Sequence, residues 1–363
     1  MTKILRRLLN RIDFRTCTLV ISLLAFLVTY LQYDKYSIKY YRLKAQIENS
    51  RPNRDSPRSS SPIVFVGGSP RSGTTLMRVM LDAHPSVRCG EETRIIPRFI
   101  GYIQQYLQLY QKRKNGITKN AIDSANAAYI FEIIKRHSKN ASYLCTKDPT
   151  TLEYSQYLAS IFPNSKFVLM IRDARATVHS VDSRYINSGG YQIKNFLENF
   201  QNWNSLIERM YSQCVAIGLD RCLPVYYEQL VLHPERELRN ILSFLNLSWN
   251  DNVLNHEKYI GAKISLSKTE KSSDQVVKPV NLEGLDLWFD KIPDRILDDI
   301  DNLAPMLKKL GYDTKSRRPN YGDADAKIKE NTLNIKANRQ YWINISNQYS
   351  DLNKYFIKMN ILP

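Results

Sequence analysis

Gly68-Ser69-Pro70-Arg71-Ser72-Gly73-Thr74-Thr75 is the stretch of this chain whose residue types and spacing best suit chemistry. It follows the short β-branched and aromatic run Ile63-Val64-Phe65-Val66 and precedes a helical pattern with Leu76, Met80 and Leu81 on one face. A glycine-rich turn between strand and helix wraps phosphate with backbone N–H groups, and the helix N-terminus adds the positive end of its dipole. Against the P-loop pattern G-x-x-x-x-G-K-[ST], Thr74 stands where the lysine belongs, which argues against an ordinary ATPase or GTPase. Arg71 is then the candidate cation, with Thr74 and Thr75 as hydroxyl donors. The bland alternative is a glycine turn that only caps the helix.

A second constellation lies downstream. Lys166 to Ile171 reads as a strand that delivers Arg172 to its end, and the helix expected from Ala174 to Arg184 carries Ser180 and Arg184 four residues apart on one face. Two arginines and a hydroxyl there suit another phosphate group, although an Arg-Asp pair at a strand end is commonly structural. Two phosphate sites on one sheet point to a nucleotide phosphorylated at both ends.

The elements that must position these groups alternate. Tyr143 to Thr146 reads as a strand, Leu152 to Phe162 as a helix, Cys222 to Tyr226 as a strand and Glu235 to Leu245 as a helix. Strands separated by helices predict an α/β fold, a parallel sheet flanked by helices on both faces. From Arg317 onward Asn, Lys and Tyr dominate, and residues 326–363 are expected to form an extended or loosely packed tail.

Lys and Arg number 52 against 35 Asp and Glu, a net charge of +17 over 363 residues that favours polyanionic partners. Lys3, Arg6, Arg7, Arg11 and Arg15 precede the uncharged 18-residue run Thr16 to Tyr33, long enough to span a thin bilayer as a helix. With the basic flank on its N-terminal side, residues 1–15 are expected in the cytosol, 16–33 as a transmembrane signal anchor, and 34–61 as a Pro- and Ser-bearing stem leading to a lumenal domain over 62–325. A basic surface facing the lumen leaves nucleic acid out. The same topology predicts an oxidising compartment, where Cys89, Cys145, Cys214 and Cys222 can form two disulfides in three possible pairings. The sequons at Asn140, Asn246 and Asn344 fit lumenal exposure.

Longer motifs carry a resemblance. Arg71-Ser-Gly-Thr-Thr-Leu-Met-Arg, Asp82-Ala-His-Pro, Val87-Arg-Cys-Gly-Glu-Glu-Thr-Arg94, Lys147-Asp-Pro, Phe162-Pro-Asn-Ser-Lys-Phe, the run from Cys222 to Pro234, and Asp274-Gln-Val-Val-Lys-Pro-Val-Asn281 resemble the sulfotransferase family, and within it the protein-tyrosine sulfotransferases. The resemblance covers about residues 62 to 325. It implies a P-loop-like sulfotransferase fold with 3′-phosphoadenylyl sulfate as co-substrate and no metal. Arg71 to Thr75 would take the 5′-phosphosulfate, and Arg172, Ser180 and Arg184 the 3′-phosphate. Tyr227, Ser272, Gln275 and Lys278 would complete the nucleotide pocket. Glu92 would be the general base, with Arg71, Lys147 and Ser272 around the transferring group, and Arg94 and Arg98 would face acidic residues of the acceptor. Family likeness further implies a homodimer in the Golgi membrane, as a single-pass type II protein. Leu287 departs from the pattern, standing just before Trp288 where relatives carry a basic residue.

The chemistry is coherent by residue type. A tyrosine phenol titrates near 10, so it attacks well at neutral pH only if a carboxylate takes its proton. Glu91 and Glu92 both qualify, or both could be the solvated acidic start of a helix at Thr93; the resemblance selects Glu92. As sulfuryl transfers, charge grows on the departing phosphate oxygen, which Lys147 and Arg71 are suited to meet. Lys147 could instead pair with Asp148 at the surface. The five histidines are scattered without ligand spacing and are taken as structural. Because Cys89 precedes the base segment and Cys145 lies two residues before Lys147, a Cys89–Cys145 bridge is expected, leaving Cys214 to pair with Cys222. A Golgi carbohydrate sulfotransferase and a non-catalytic lumenal binder of acidic partners are the rival readings.

Overall fold

A computed structural model describes residues 62–113, 118–137, 141–186 and 190–349. The expected anchor, the stem and Asn140 lie outside these residues. Two compact units separate. Of the described residues, 118–122 belong to one and the rest, which hold the site, to the other.

Five strands make one sheet, β1 (Ile63–Gly68), β2 (Val87–Arg88), β3 (Tyr143–Lys147), β4 (Lys166–Ile171) and β5 (Cys222–Tyr226), in the order β2-β3-β1-β4-β5. Every pairing is parallel, with Val66 opposite Lys147 and Gly68 opposite Met170. Side chains along a strand alternate between faces. Ile63, Phe65, Phe167, Leu169 and Ile171 therefore enter one core and Val64, Val66, Val168 and Met170 the other.

Helices cover both faces. In chain order the longer ones are α1 (Thr74–Ala83), α2 (Ile96–Arg113), α3 (Lys119–His137), α4 (Ser155–Ile161), α5 (Ala174–Asp182), α6 (Phe196–Ile217) and α7 (Pro234–Phe244). Trp203, Phe200 and Met210 of α6 join the first core, whereas Met77, Met80 and Leu81 of α1 join the second with Leu238, Ile241 and Leu242 of α7. From β1 the chain passes to β2 and β3 on one side and then crosses to β4 and β5 on the other. Ligands in open α/β sheets sit outside the carboxyl ends of strands at such a switch point.

Both expected disulfides are present, Cys89–Cys145 with Cα atoms 4.0 Å apart and Cys214–Cys222. The first closes a separation of 56 residues and the second one of 8, so the first constrains the unfolded chain more.

Three local expectations need correction. The helix expected over 152–162 is a 3-10 turn, Pro149–Tyr154, followed by α4, because Pro149 fixes the first turn and the Tyr154 backbone leaves helical geometry. Helix α5 stops at Asp182, so Arg184 does not share a helical face with Ser180. Over its described residues, 326–349, the tail is not extended: α8 (Ala326–Ala337) and α9 (Arg339–Gln348) follow one another, and Ile328, Thr332 and Ile335 of α8 are buried at spacings of one helical turn.

Candidate active site

The loop from Gly68 to Gly73 turns at the end of β1. Gly73 is left-handed, φ 94°, and a Cβ there would meet the Tyr227 ring at 2.4 Å, so only glycine lets α1 start beneath that aromatic. Arg71 adopts φ 73° and is buried. Its Nε donates to Ser180 Oγ at 3.0 Å, one terminal nitrogen to Ser272 Oγ, and the other to Gln275 Oε1 at 2.7 Å. Ser180, expected at the 3′-phosphate, and Ser272 and Gln275 of the nucleotide pocket thus all meet on the guanidinium expected at the 5′-phosphosulfate. Ser72 is buried and its hydroxyl has no hydrogen-bond partner among the described residues; Thr74 is buried as well.

Arg172 leaves the end of β4, stacks on Tyr227 at 4.4 Å, and donates to the carbonyls of Arg71 (2.8 Å) and Gly284 (2.6 Å). Among the described residues neither Arg71 nor Arg172 has a carboxylate partner within salt-bridge distance. Burial first, and the nearby Arg184 and Arg172 next, pull the Arg71 pKa down to about 9. Arg184 is brought in by a turn beyond α5 and is held by Asp274 at 2.7 Å. These arginines, with Tyr227, Ser272, Gln275 and Lys278, line a cleft of about 700 Å³. An adjoining recess of about 370 Å³ holds Ser180 and His179, so His179 belongs to the site's wall. Such a crowd of cations, with hydroxyls and an aromatic face between them, is what a multiply phosphorylated nucleotide complements. Asp173 turns the other way and fixes Arg175, its Oδ2 accepting at 2.7 Å from a guanidinium nitrogen. The Arg-Asp pair at this strand end is half site and half scaffold.

On the other side of the loop, Lys147 leaves the end of β3 fully buried. Its Nζ donates to Thr75 Oγ1 at 3.2 Å, Glu92 Oε1 at 2.5 Å and Glu270 Oε2 at 3.2 Å. The lysine missing at Thr74 is therefore supplied through space by the neighbouring strand. Asp148 does not pair with Lys147. It accepts from Thr93 Oγ1 at 2.5 Å and the Arg94 N–H at 2.8 Å, clamping the segment that carries Glu92. Burial outweighs those bonds and raises Asp148 to about 6.

Arg94 and Arg98 are not one helical turn apart on one helix. Arg94 precedes α2 in a left-handed conformation, φ 55°, while Pro97 sits in the first turn of α2, where it is tolerated without a kink. Arg94 reaches back, its Nε 3.5 Å from Glu92 Oε2 and a terminal nitrogen donating to Thr269 O at 2.9 Å. Arg98 is exposed on α2. Lys278 pairs with Glu283 at 3.0 Å. Asn246 and Asn344 are both exposed.

Two contributors escaped the sequence reading. Glu270 is an acid between lysines two positions before Ser272, and that proximity was the available signal. Helices α8 and α9 wall the cleft with Ile335, Lys336, Arg339 and Trp342, and Ser346 Oγ pins α9 by donating to Asp274 O at 2.8 Å. No periodicity announced them.

A model of the Sulfotransferase family matches residues 62–251. The solved sulfotransferase domain from the Synechococcus PCC 7002 olefin synthase shares the fold, with a TM-score of 0.53 at 23% identity over 72% of this chain and 99% of that one. Protein-tyrosine sulfotransferase 2 of Gallus gallus is 52% identical over 280 residues, 76% of each chain. Protein-tyrosine sulfotransferase A of Caenorhabditis elegans is 47% identical over 79% of this chain and 77% of its own. The Drosophila melanogaster protein-tyrosine sulfotransferase is 46% identical over 85% of this chain, which spans 63% of that relative's length. On a shared fold, a shared family model and this degree of identity, the chain belongs to the protein-tyrosine sulfotransferase family.

Proposed function

We infer that this chain moves a sulfuryl group from 3′-phosphoadenylyl sulfate to tyrosine hydroxyls in acidic protein segments, releasing adenosine 3′,5′-bisphosphate. The carrying observation is that Glu92 and Lys147 are hydrogen-bonded to each other beside Thr75, four residues along the chain from Arg71 with its bond to Ser272. A carboxylate for a phenol proton and cations for a departing phosphate oxygen thus lie side by side.

In this reading Arg71 to Thr75 hold the 5′-phosphosulfate and Arg172, Ser180 and Arg184 the 3′-phosphate. Glu92 accepts the phenol proton, while Arg71, Lys147 and Ser272 stabilise the charge that grows on the leaving oxygen. Arg94 and Arg98 meet acids of the acceptor. The protein is anchored through residues 16–33 in the Golgi membrane with this domain in the lumen, carries glycans on its sequons, and works as a homodimer; the uncharged run, the basic flank before it and the two disulfides support that placement. The test incubates the purified lumenal portion with labelled donor and either a tyrosine peptide flanked by acids or a sugar acceptor. Label is expected on the peptide, and label on the sugar alone sinks the reading.

A further inference from the structure

Glu270 lies on the segment between the isolated bridge at Ile264 and Ser272, and it is buried, 4% exposed. Its two oxygens serve different partners. Oε1 accepts the Glu92 backbone N–H at 2.8 Å, and Oε2 accepts from Lys147 Nζ at 3.2 Å. Arg78 of α1, itself fully buried and fixed by the Ser265 carbonyl at 2.8 Å, stands 3.8 Å from Oε1. One carboxylate therefore touches the backbone of the proposed base and the side chain of Lys147, the cation proposed for the leaving oxygen.

An ammonium has three N–H donors. Those of Lys147 are all engaged, by Thr75, Glu92 and Glu270. Of its two carboxylates only Glu92 reaches solvent, at 17% side-chain exposure against 1% for Glu270. An incoming phenol can therefore approach Glu92 and not Glu270. Once Glu92 takes the phenol proton it is neutral, and a fully buried ammonium without a counter-ion would lose its own proton or shift.

We propose that Glu270 is a positioning residue, the fixed counter-ion that keeps Lys147 protonated and in place when Glu92 turns from Lys147 to the acceptor phenol. This rests on the tyrosine-sulfation reading. In the step, the phenol oxygen forms a bond to sulfur, the bond from sulfur to the 5′-phosphate oxygen breaks, and the phenol proton goes to Glu92. Glu270 exchanges no proton and keeps its charge throughout. Burial by itself would raise the Glu270 pKa, but Lys147 and Arg78 outweigh it and hold the group below the ordinary carboxylate range. The other charged groups facing this cluster are Asp82 beside Arg78, Asp148 behind Thr93, and Arg94 over Glu92.

Glu270→Gln in the otherwise intact chain separates the two bonds. A glutamine keeps one oxygen for the Glu92 N–H but sets an amide NH2 against the Lys147 ammonium. We expect kcat to fall by roughly 30-fold while the peptide KM and the Kd for adenosine 3′,5′-bisphosphate stay within about 3-fold. The acid limb of the kcat/KM profile should move to lower pH, since a negative charge has left the neighbourhood of Glu92. Adding Glu270→Gln to Lys147→Ala should cost nothing further, because Glu270 acts through Lys147. A merely structural role predicts a lower Tm, an unmoved acid limb and additive losses in the double variant, and any such additive cycle overturns the proposal. Should Glu270→Gln fail to fold, Glu270→Asp keeps the charge with a shorter reach, and the same cycle with Lys147→Ala decides. A wild-type chain that binds the bisphosphate yet labels no tyrosine peptide sinks the functional reading and this proposal with it. An active wild type whose Glu270→Gln and Glu270→Asp variants both turn over equally well sinks only the proposal.

Discussion

The two sides of the β1 loop treat charge in opposite ways. Toward β4, Arg71 and Arg172 direct their donors to hydroxyls, an amide and carbonyls, and no carboxylate among the described residues pairs with either. Toward β3, Lys147 faces two carboxylates at hydrogen-bonding distance and Arg78 a third at 3.4 Å. The first side is completed by an anion from outside. The second is complete in itself and has to be opened for chemistry to begin. Binding and reaction are therefore separable by mutation, although both depend on one loop.

Opening the balanced side should give the largest effect. Glu92→Gln is expected to lower kcat by roughly a hundredfold or more with Kd for adenosine 3′,5′-bisphosphate unchanged, as for loss of a general base, and Glu91→Gln should do far less. Single-turnover kinetics beside isothermal titration separate the two quantities; comparable activity in both variants removes the assignment. On the other side, Arg172→Ala should weaken bisphosphate binding by roughly 30-fold, leave the peptide KM in place, and flatten the dependence of Kd on salt. An unchanged salt dependence would show that this guanidinium does not meet a phosphate.

A smaller loss is expected at the cleft's outer wall. Trp342→Ala should weaken bisphosphate binding by about 5-fold, on the order of 1 kcal/mol for lost aromatic contact, while Leu333→Ala on the exposed face of α8 leaves it alone. Equal affinities in both variants would reduce α9 to packing. Acceptor choice tests the edge of the balanced side. Arg94→Ala/Arg98→Ala should lower kcat/KM for an acid-flanked tyrosine peptide by about tenfold and for its amide counterpart by less, measured at two salt concentrations. Undiminished discrimination between the peptides would clear these arginines of substrate selection.

Last comes a pH effect on stability rather than on turnover. Glu228, buried behind the Arg172 strand end, accepts from the Asp173 N–H at 2.9 Å and the Tyr312 hydroxyl at 2.9 Å. Burial, then Asp173, raises its pKa from 4.5 to about 7. A folded carboxyl with a raised pKa binds its proton more tightly than the unfolded chain does, so the contribution is present below pH 4.5 and is lost as pH rises toward 7. Glu228→Gln, always neutral, should show a flatter Tm across that window, and parallel Tm curves would refute the buried acid's part in it.

What was legible follows from how local each signal is. The strands β1, β3, β4 and β5 are short buried runs ending at glycine, a charge or a turn, and the loop's function is written in its own glycines. Lys147 could be named only through resemblance, because its place beside Thr75 is set by the β1–β3 register. Arg94 and Arg98 stand four positions apart in sequence, yet the Asp148 clamp holds Arg94 outside the helix, a tertiary bond no spacing reveals. Glu270 needed two partners more than 120 residues away. Helix α8 buries only Ile328, Thr332 and Ile335 while its Leu333 is exposed, and α9 buries none, so their hydrophobic period is too faint to read.

The pin from Ser346 to Asp274 also has a meaning for the order in which the molecule becomes competent. All five strands and all four paired cysteines lie between residues 63 and 226. A growing chain can build that framework, with its parallel sheet locked by covalent links, while Glu270, Ser272 and α9 are still unmade. Domains fold as units from the N-terminal side during synthesis. The last described helix to emerge is the one that fastens the Ser272–Asp274 segment over the loop, so a nascent chain halted before it would be folded at its centre and mute in its chemistry.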